Sequence, residues 1–267
     1  MQIEALPAFT DNYLWLLHDG EFAAIVDPGD AVIVESALAA RGLSLTAILI
    51  THHHPDHIGG VAALKSRHAA ICIGPDDPRI AVDLVVGDGA RCVLPGLDAT
   101  VEVLAVPGHT RSHLAYRLGD ALFCGDTLFS LGCGRLFEGS PAQMHASLSR
   151  LAALPPETRV YCAHEYTESN LDFALAVEPG NAALLAFSAE LRRLRAEGRP
   201  SVPSTIARER ALNPFLRSAA PELQAALAGL GGPPASGAVE RFAQLRRLKD
   251  RYRTGADLRA LVAEGLA

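Results

Sequence analysis

Thr51-His52-His53-His54-Pro55-Asp56-His57 follows the apolar run Ala47-Ile48-Leu49-Ile50 and leads into Ile58-Gly59-Gly60-Val61. Imidazole nitrogen and carboxylate oxygen at fixed offsets suit zinc, iron or manganese. In an extended chain, residues two apart point the same way. His52 and His54 can therefore grip one ion while Asp56 and His57 turn toward a second. The segment reads as half of a two-metal site at the end of a strand. Two blander readings compete: Asp56 as the N-cap of a helix from Val61 to Arg67, or a histidine cluster on a solvated loop. Donor-type residues in H-x-H-x-D-H order outweigh both. His53 is out of phase with His52 and His54 and is given no metal role.

Around this segment lies a chain of 267 residues, 49% hydrophobic and 20% charged, which fits a globular protein of one large domain or two. A formal net charge of -6 supplies no basic field for nucleic acid. Cys72, Cys92, Cys124, Cys133 and Cys162 form no C-x-x-C pair. Reduced, buried thiols are expected, neither a disulfide framework nor a thiolate zinc site. Met1-Gln2-Ile3-Glu4 carries no basic region, and no apolar run has membrane-spanning length. The expectation is a cytoplasmic monomer without membrane or nucleic-acid partners.

Up to His164 the chain reads as short apolar strands broken by Gly, Asp and Pro. Asn12–His18 and Glu21–Val26 pair across Asp19-Gly20. Ala31–Ala40 has helical spacing and stops at Gly42. Strands follow at Ala47–Ile50, Ala70–Ile73, Val82–Val86, Arg91–Leu94, Val101–Val106, Leu114–Leu118, Ala121–Cys124 and Arg159–Ala163. Ser140 caps a helix over Pro141–Leu154. This mixture predicts two sheets packed face to face with helices outside. After His164 no strong strand signal remains. Helices are predicted over Tyr166–Val177, Asn181–Glu197, Pro221–Ala228, Val239–Arg253 and Asp257–Leu266.

Two ions need more ligands than one segment holds. Candidates stand just past strands: His109 in Pro107-Gly108-His109-Thr110, Asp126 in Gly125-Asp126-Thr127, and His164 in Ala163-His164-Glu165. Each alone is weak; at equivalent places beside the first cluster they support one another.

With these residues, and with Phe9-Thr10-Asp11-Asn12-Tyr13, the chain resembles the metallo-β-lactamase superfamily. Further stretches resemble the hydroxyacylglutathione hydrolase (glyoxalase II) family within it: Cys124-Gly125-Asp126-Thr127-Leu128-Phe129, Gly132 to Gly139, His164-Glu165-Tyr166-Thr167, Val177-Glu178-Pro179-Gly180-Asn181 and Leu212-Asn213-Pro214-Phe215. The resemblance implies an α+β fold: a four-layered αββα sandwich over residues 1–166, then an all-helical, glutathione-binding domain over 167–267. It implies that His52, His54 and His109 bind one metal, that Asp56, His57 and His164 bind the other, and that Asp126 bridges them. Zinc is the first expectation for both ions, with iron and manganese as alternatives.

The implied reaction is hydrolysis of S-D-lactoylglutathione to D-lactate and glutathione, in methylglyoxal detoxification. Asp56 and Asp126, with a metal-held hydroxide, are the expected catalytic groups. A hydroxide held between two cations is available near neutral pH, because metal binding lowers the pKa of water to about 7. The leaving thiolate, whose thiol has a pKa of about 8.5, needs no strong general acid. Gly-x-Ser-x-Gly is absent. The resemblance further implies substrate contacts from Arg135, Phe137, Tyr166, Arg246 and Lys249. Arg246 and Lys249 stand three apart on one helix face and suit glutathione's carboxylates. Phe137 occupies a position where some family members carry tyrosine. Asp27 is either a hydrogen-bond partner of a ligand histidine or a turn carboxylate. Two other functions are weighed: a mono-iron enzyme like the persulfide dioxygenases, and a non-catalytic metal-binding interaction protein.

Overall fold

The structure is a computed structural model that describes residues 1–264. Strands β1 (Gln2–Ala8), β2 (Asn12–His18) and β3 (Phe22–Val26) form an antiparallel meander. Helix α1 (Ala31–Arg41) follows, capped by Asp30 and ended by Gly42 at φ 67°. The first sheet then continues in parallel through β4 (Ser44–Leu49), β5 (Ile71–Gly74) and β6 (Leu84–Val85). Between β4 and β5 come the one-turn helix α2 (Pro55–Ile58) and α3 (Val61–His68).

The second sheet contains β7 (Arg91–Val93), β8 (Thr100–Ala105), β9 (Leu114–Leu118) and β10 (Ala121–Gly125). A small hairpin, β11 (Leu128–Phe129) and β12 (Gly132–Cys133), and helix α4 (Pro141–Ala152) follow. Strand β13 (Arg159–Cys162) pairs with β10 in parallel. Then come α5 (Thr167–Val177), α6 (Ala182–Ala196), the two-residue β14 (Ser204–Thr205), α7 (Ile206–Leu212), α8 (Pro221–Gly229), α9 (Ala238–Arg251) and α10 (Leu258–Ala263).

Alternation along β2 accounts for the layers. Tyr13, Trp15 and Leu17 enter the core shared with Val101, Val103, Tyr116 and Phe123 of the second sheet. Leu14 and Leu16 enter a separate core with Val34 and Leu38 of α1 and Leu64 of α3. A strand covered on both faces must be apolar throughout, which is why Tyr13–Leu17 lacks a polar position. Burying each such side chain contributes about 1.5–3 kcal/mol. Helix α4 and later helices add Met144, Leu148, Phe173 and Phe242 to the core built on the second sheet. The result is the expected αββα sandwich with a helical C-terminal part.

Several elements differ from the sequence expectation. Strand β14 pairs with β13, Val160 opposite Ser204, so one strand does follow His164. Two residues give no alternation to read. The strand expected over Val82–Val86 is only Leu84–Val85. Strand β1 and helix α7 carry no clear signal either: β1 contains Pro7 and lies at a sheet edge, where proline is tolerated. The last predicted helix ends at Ala263, and Leu266 lies outside the described residues. Among the described residues no helix is long and apolar enough to cross a membrane.

The helical part is fastened to the sandwich through the β11–β12 hairpin. Asn213 Nδ2 donates to the carbonyls of Gly132 and Phe129 at 2.9 and 3.3 Å, and to Glu209 at 3.0 Å. Buried Glu209 also accepts from the backbone N–H of Leu131 at 2.8 Å and from the Ser204 hydroxyl. Glu178 pairs with Arg217 at 3.1 Å, and Asn181 caps α6. The Val177–Asn181 and Leu212–Phe215 stretches thus do structural work.

Candidate metal centre

Parallel strands bring their C-terminal ends to one edge of a sheet. Parallel pairing of β3 with β4 sets Asp27 beside Thr51, and that of β10 with β13 sets Asp126 beside His164. The sheets are stitched at this rim: Tyr13 N donates to the Ala163 carbonyl at 2.7 Å and Leu114 N to that of Thr51 at 2.9 Å. All seven expected metal ligands meet here. His52, His54, His109 and Asp126 form one group of donor atoms, and Asp56, His57 and His164 another.

The histidines' outward nitrogens fix which nitrogen faces in. His57 Nδ1 lies 3.0 Å from Asp27 Oδ2, His164 Nδ1 2.7 Å from Asp11 Oδ1, and His109 Nδ1 2.8 Å from the Arg135 carbonyl. Acceptors there require each Nδ1 to carry the hydrogen, so in the neutral ring Nε2 keeps a lone pair directed inward. His52 follows the same rule at one remove. Thr51 Oγ1 donates to Asp27 at 2.7 Å, so it accepts from His52 Nδ1 at 3.0 Å.

The inward lone pairs converge. His52 Nε2 and His109 Nε2 each lie 3.0 Å from His54 Nδ1. Unprotonated nitrogens at that spacing repel unless a cation or proton lies between them. Burial holds His52 and His109 below the ordinary imidazole pKa, and burial with the His109 charge brings His54 down to about 4. The trio therefore favours a cation over a proton. Asp126 faces both groups: Oδ2 lies 3.3 Å from His109 Nε2, and Oδ1 lies 3.5 and 3.3 Å from His57 and His164 Nε2. Asp126 Oδ1 and His57 Nε2 are buried without a hydrogen-bond partner. Orphaned donor atoms of this kind fit a divalent metal site. Burial opposes the charge on Asp126, yet the facing His57 and His164 hold its carboxyl well below the usual carboxylate range.

Asp27, His52 and His57 also cluster, but Asp27 is already fully used. It accepts from Thr51 N at 2.8 Å, from Thr51 Oγ1 and from His57. It is a histidine-orienting carboxylate, held at φ 51°, a conformation in which aspartate is enriched. Asp27→Asn turns an amide NH2 toward two donors and drives His57 into the wrong tautomer. The expected result is divalent-metal affinity about 10–100-fold weaker, measured by Zn2+ titration against a chelator. Unchanged affinity would remove the orienting role.

Sequence reasoning missed other parts. His113 is buried, its ring stacked on His52 at 4.6 Å and 19°. Its Nε2 accepts from Asp126 N at 3.2 Å and Nδ1 lies 3.3 Å from Thr127 Oγ1. Asn12 donates to Asp56 Oδ2 at 3.0 Å, so Asp56 does not cap a helix through its side chain. Asp11 and Asn12 come from the turn between β1 and β2, where Asn12 bridges to His164, and no spacing rule links them to it. His53 instead sits 3.6 and 3.7 Å from Asp77 and Glu138.

Beside the metal donors opens a cavity of about 520 Å³, lined by His109 and Asp126 and by Arg135, Phe137, Tyr166, Arg246 and Lys249. Tyr166 stacks on His164 at 4.7 Å and 3°. Phe137, 62% exposed, stands edge-on to His54 and His109 at 5.4 and 5.2 Å. Arg246 is buried. A larger groove, about 1040 Å³, lies among the C-terminal helices around Glu178 and Arg217; it touches none of these residues.

The metallo-beta-lactamase superfamily model matches residues 9–77 and 68–164. The model described as hydroxyacylglutathione hydrolase C-terminus matches residues 165–252. The hydroxyacylglutathione hydrolase of Cupriavidus taiwanensis is 54% identical, covering 95% of this chain and 100% of that protein. That of Pseudomonas aeruginosa strain PAO1 is 53% identical over 94% and 100%. Among solved structures, ETHE1 from Myxococcus xanthus superposes with a TM-score of 0.67 at 27% identity, covering 99% of this chain and 100% of that one. The BLEG-1 B3 metallo-beta-lactamase shares the fold, with a TM-score of 0.62 at 23% identity over 80% and 99%.

Proposed function

The chain belongs to the hydroxyacylglutathione hydrolase family of the metallo-beta-lactamase superfamily, and we propose that it hydrolyses S-D-lactoylglutathione and related 2-hydroxyacylglutathione thioesters in the cytoplasm, in methylglyoxal detoxification. The observation that carries this reading is Asp126, whose two oxygens face two separate donor groups at the end of a cation-lined cavity. His52, His54 and His109 would hold one divalent ion and Asp56, His57 and His164 the other, with Asp126 common to both. Zinc is favoured, with iron or manganese as alternatives that suit the same donors. Bound divalent ions supply Lewis acidity and a nucleophile available near neutral pH.

The chain's own residues do the rest. Asp126 and Asp56, the latter held by Asn12, keep the two donor groups in register. Phe137 and Tyr166 wall the end of the cavity nearest the histidines. Arg135, Arg246 and Lys249 give the cavity a positive wall for glutathione's carboxylates. On this reading residues 1–166 form the catalytic domain, and 167–267 the domain that completes the substrate site.

The deciding experiment assays pure protein with S-D-lactoylglutathione before and after chelation, with metal counting alongside. Hydrolysis should vanish with the metal and return when about two equivalents are restored. Hydrolysis that persists in metal-free protein would sink the mechanism. One iron per chain with oxygen uptake and no thioester hydrolysis would favour the dioxygenase reading; metal without either activity would favour an interaction protein.

A further inference from the structure

His113 is an imidazole that the donor set does not use. It stands just before β9, is 1% exposed, and its ring lies almost flat on that of His52, at 4.6 Å and 19°. Its partners place its hydrogen. The backbone N–H of Asp126 can only donate, and it meets His113 Nε2 at 3.2 Å. Nε2 must therefore accept, so in the neutral ring the hydrogen sits on Nδ1, 3.3 Å from Thr127 Oγ1. Thr127 Oγ1 gives its own hydrogen to the Val106 carbonyl at 3.4 Å. Both nitrogens of His113 are occupied, and neither is left for a cation.

The ring packs where only glycine leaves room. Gly125 lies at φ 47°, and a Cβ there would come within 2.9 Å of His113 Cε1 and overlap Thr51 Oγ1. Thr51 Oγ1 is the atom that accepts from His52 Nδ1. Thr51, His52, His113 and the main chain of Asp126 thus form one packed layer behind the donor atoms.

We propose that His113 is the positioning residue that sets Asp126 between the two donor groups. Its Nε2 holds the Asp126 main chain, and its ring face backs His52. The inference rests on the two-ion reading of the site and adds a residue outside the donor set. Asp126 has oxygens facing both groups, so a shift of its main chain disturbs both together. His113 does not line the substrate cavity. Its loss therefore belongs in metal affinity and kcat, not in KM.

Two substitutions separate the bond from the ring. His113→Phe keeps a flat ring and loses the acceptor. His113→Gln loses the ring but carries an amide oxygen that can reach the place of Nε2. His113→Phe should weaken Zn2+ affinity about 10–100-fold, measured against a chelator at a temperature where each variant is folded. At saturating Zn2+ it should lower kcat for S-D-lactoylglutathione at least about tenfold, with KM within about twofold of wild type. The visible spectrum of the Co2+-loaded protein should change with it. His113→Gln should recover most of both losses. A residue that only fills the core predicts the reverse order, because a buried phenyl ring is tolerated better than a buried amide. Phe equal to or better than Gln in affinity and kcat would overturn the assignment. Should His113→Phe fail to fold, Thr127→Val decides. It removes the acceptor that keeps the hydrogen on Nδ1 and touches no donor atom, so Zn2+ affinity should fall several-fold; unchanged affinity would overturn the assignment. Wild-type protein that binds metal yet leaves the thioester intact would refute the hydrolase reading, while the affinity order His, Gln, Phe would still establish the positioning role.

Discussion

Asp126→Ala is expected to reduce thioester hydrolysis by more than about 100-fold, beyond the loss typical of groups that only orient a ligand. The structure gives the reason. Asp126 Oδ2 faces His109, and Oδ1 faces His57 and His164. Removing one carboxylate therefore takes a donor from both groups and leaves two imidazole clusters without the anion between them. Metal content should fall together with activity, and re-added Zn2+ should restore neither fully. Asp126→Asn keeps the volume and one oxygen, so it separates loss of charge from loss of packing. Near-normal turnover with metal content intact would exclude Asp126 as the shared ligand.

Gly134→Ala should be nearly as damaging, although glycine carries no chemistry. A Cβ built at Gly134 overlaps the Asp126 carbonyl oxygen and comes within 3.0 Å of His109 Nδ1. Both neighbours belong to the site, and one is backbone that no rotamer change can clear. Overpacking of this kind costs about 1–3 kcal/mol and more when backbone must move. The extra methyl also pushes on the Nδ1–carbonyl bond that fixes His109. Thermal melting should show the destabilisation, and metal titration should show weaker binding even at temperatures where the protein is folded. A variant with wild-type melting and metal affinity would mean that the backbone yields at little cost. Gly139→Ala, where the Cβ would meet the Gly108 backbone at 2.5 Å, tests whether any crowded glycine near the site does the same.

The candidate donors that the structure brings together were legible in the sequence for a physical reason. Metal donors must be particular residue types, and strands that deliver them to a sheet edge leave an apolar run immediately before each one. Ile48-Leu49-Ile50 precedes His52, Leu122-Phe123-Cys124 precedes Asp126, and Val160-Tyr161-Cys162 precedes His164. The layered architecture was legible in the same way. Tyr13 to Leu17 has no polar residue because β2 is buried on both faces.

Partners of the ligands were not legible, because their role depends on which chain ends meet. Asp27 reads equally as a turn residue until β3 pairs with β4 and puts it against Thr51 and His57. Asp11 becomes the partner of His164 only when the meander folds across 153 residues of chain. Arg246 and Lys249 present the same i, i+3 pattern whether solvated or not; only the bond from Arg246 to the Cys133 carbonyl of β12 shows that one of them is buried.

The sequence by itself determined the fold class, the candidate donors and the strand ends that carry them, since local periodicity and donor chemistry are written residue by residue. Only the tertiary structure decided which nitrogen each histidine turns inward and how Asp126 divides its oxygens. Those depend on hydrogen-bond partners distant along the chain, and no local pattern encodes such a pairing.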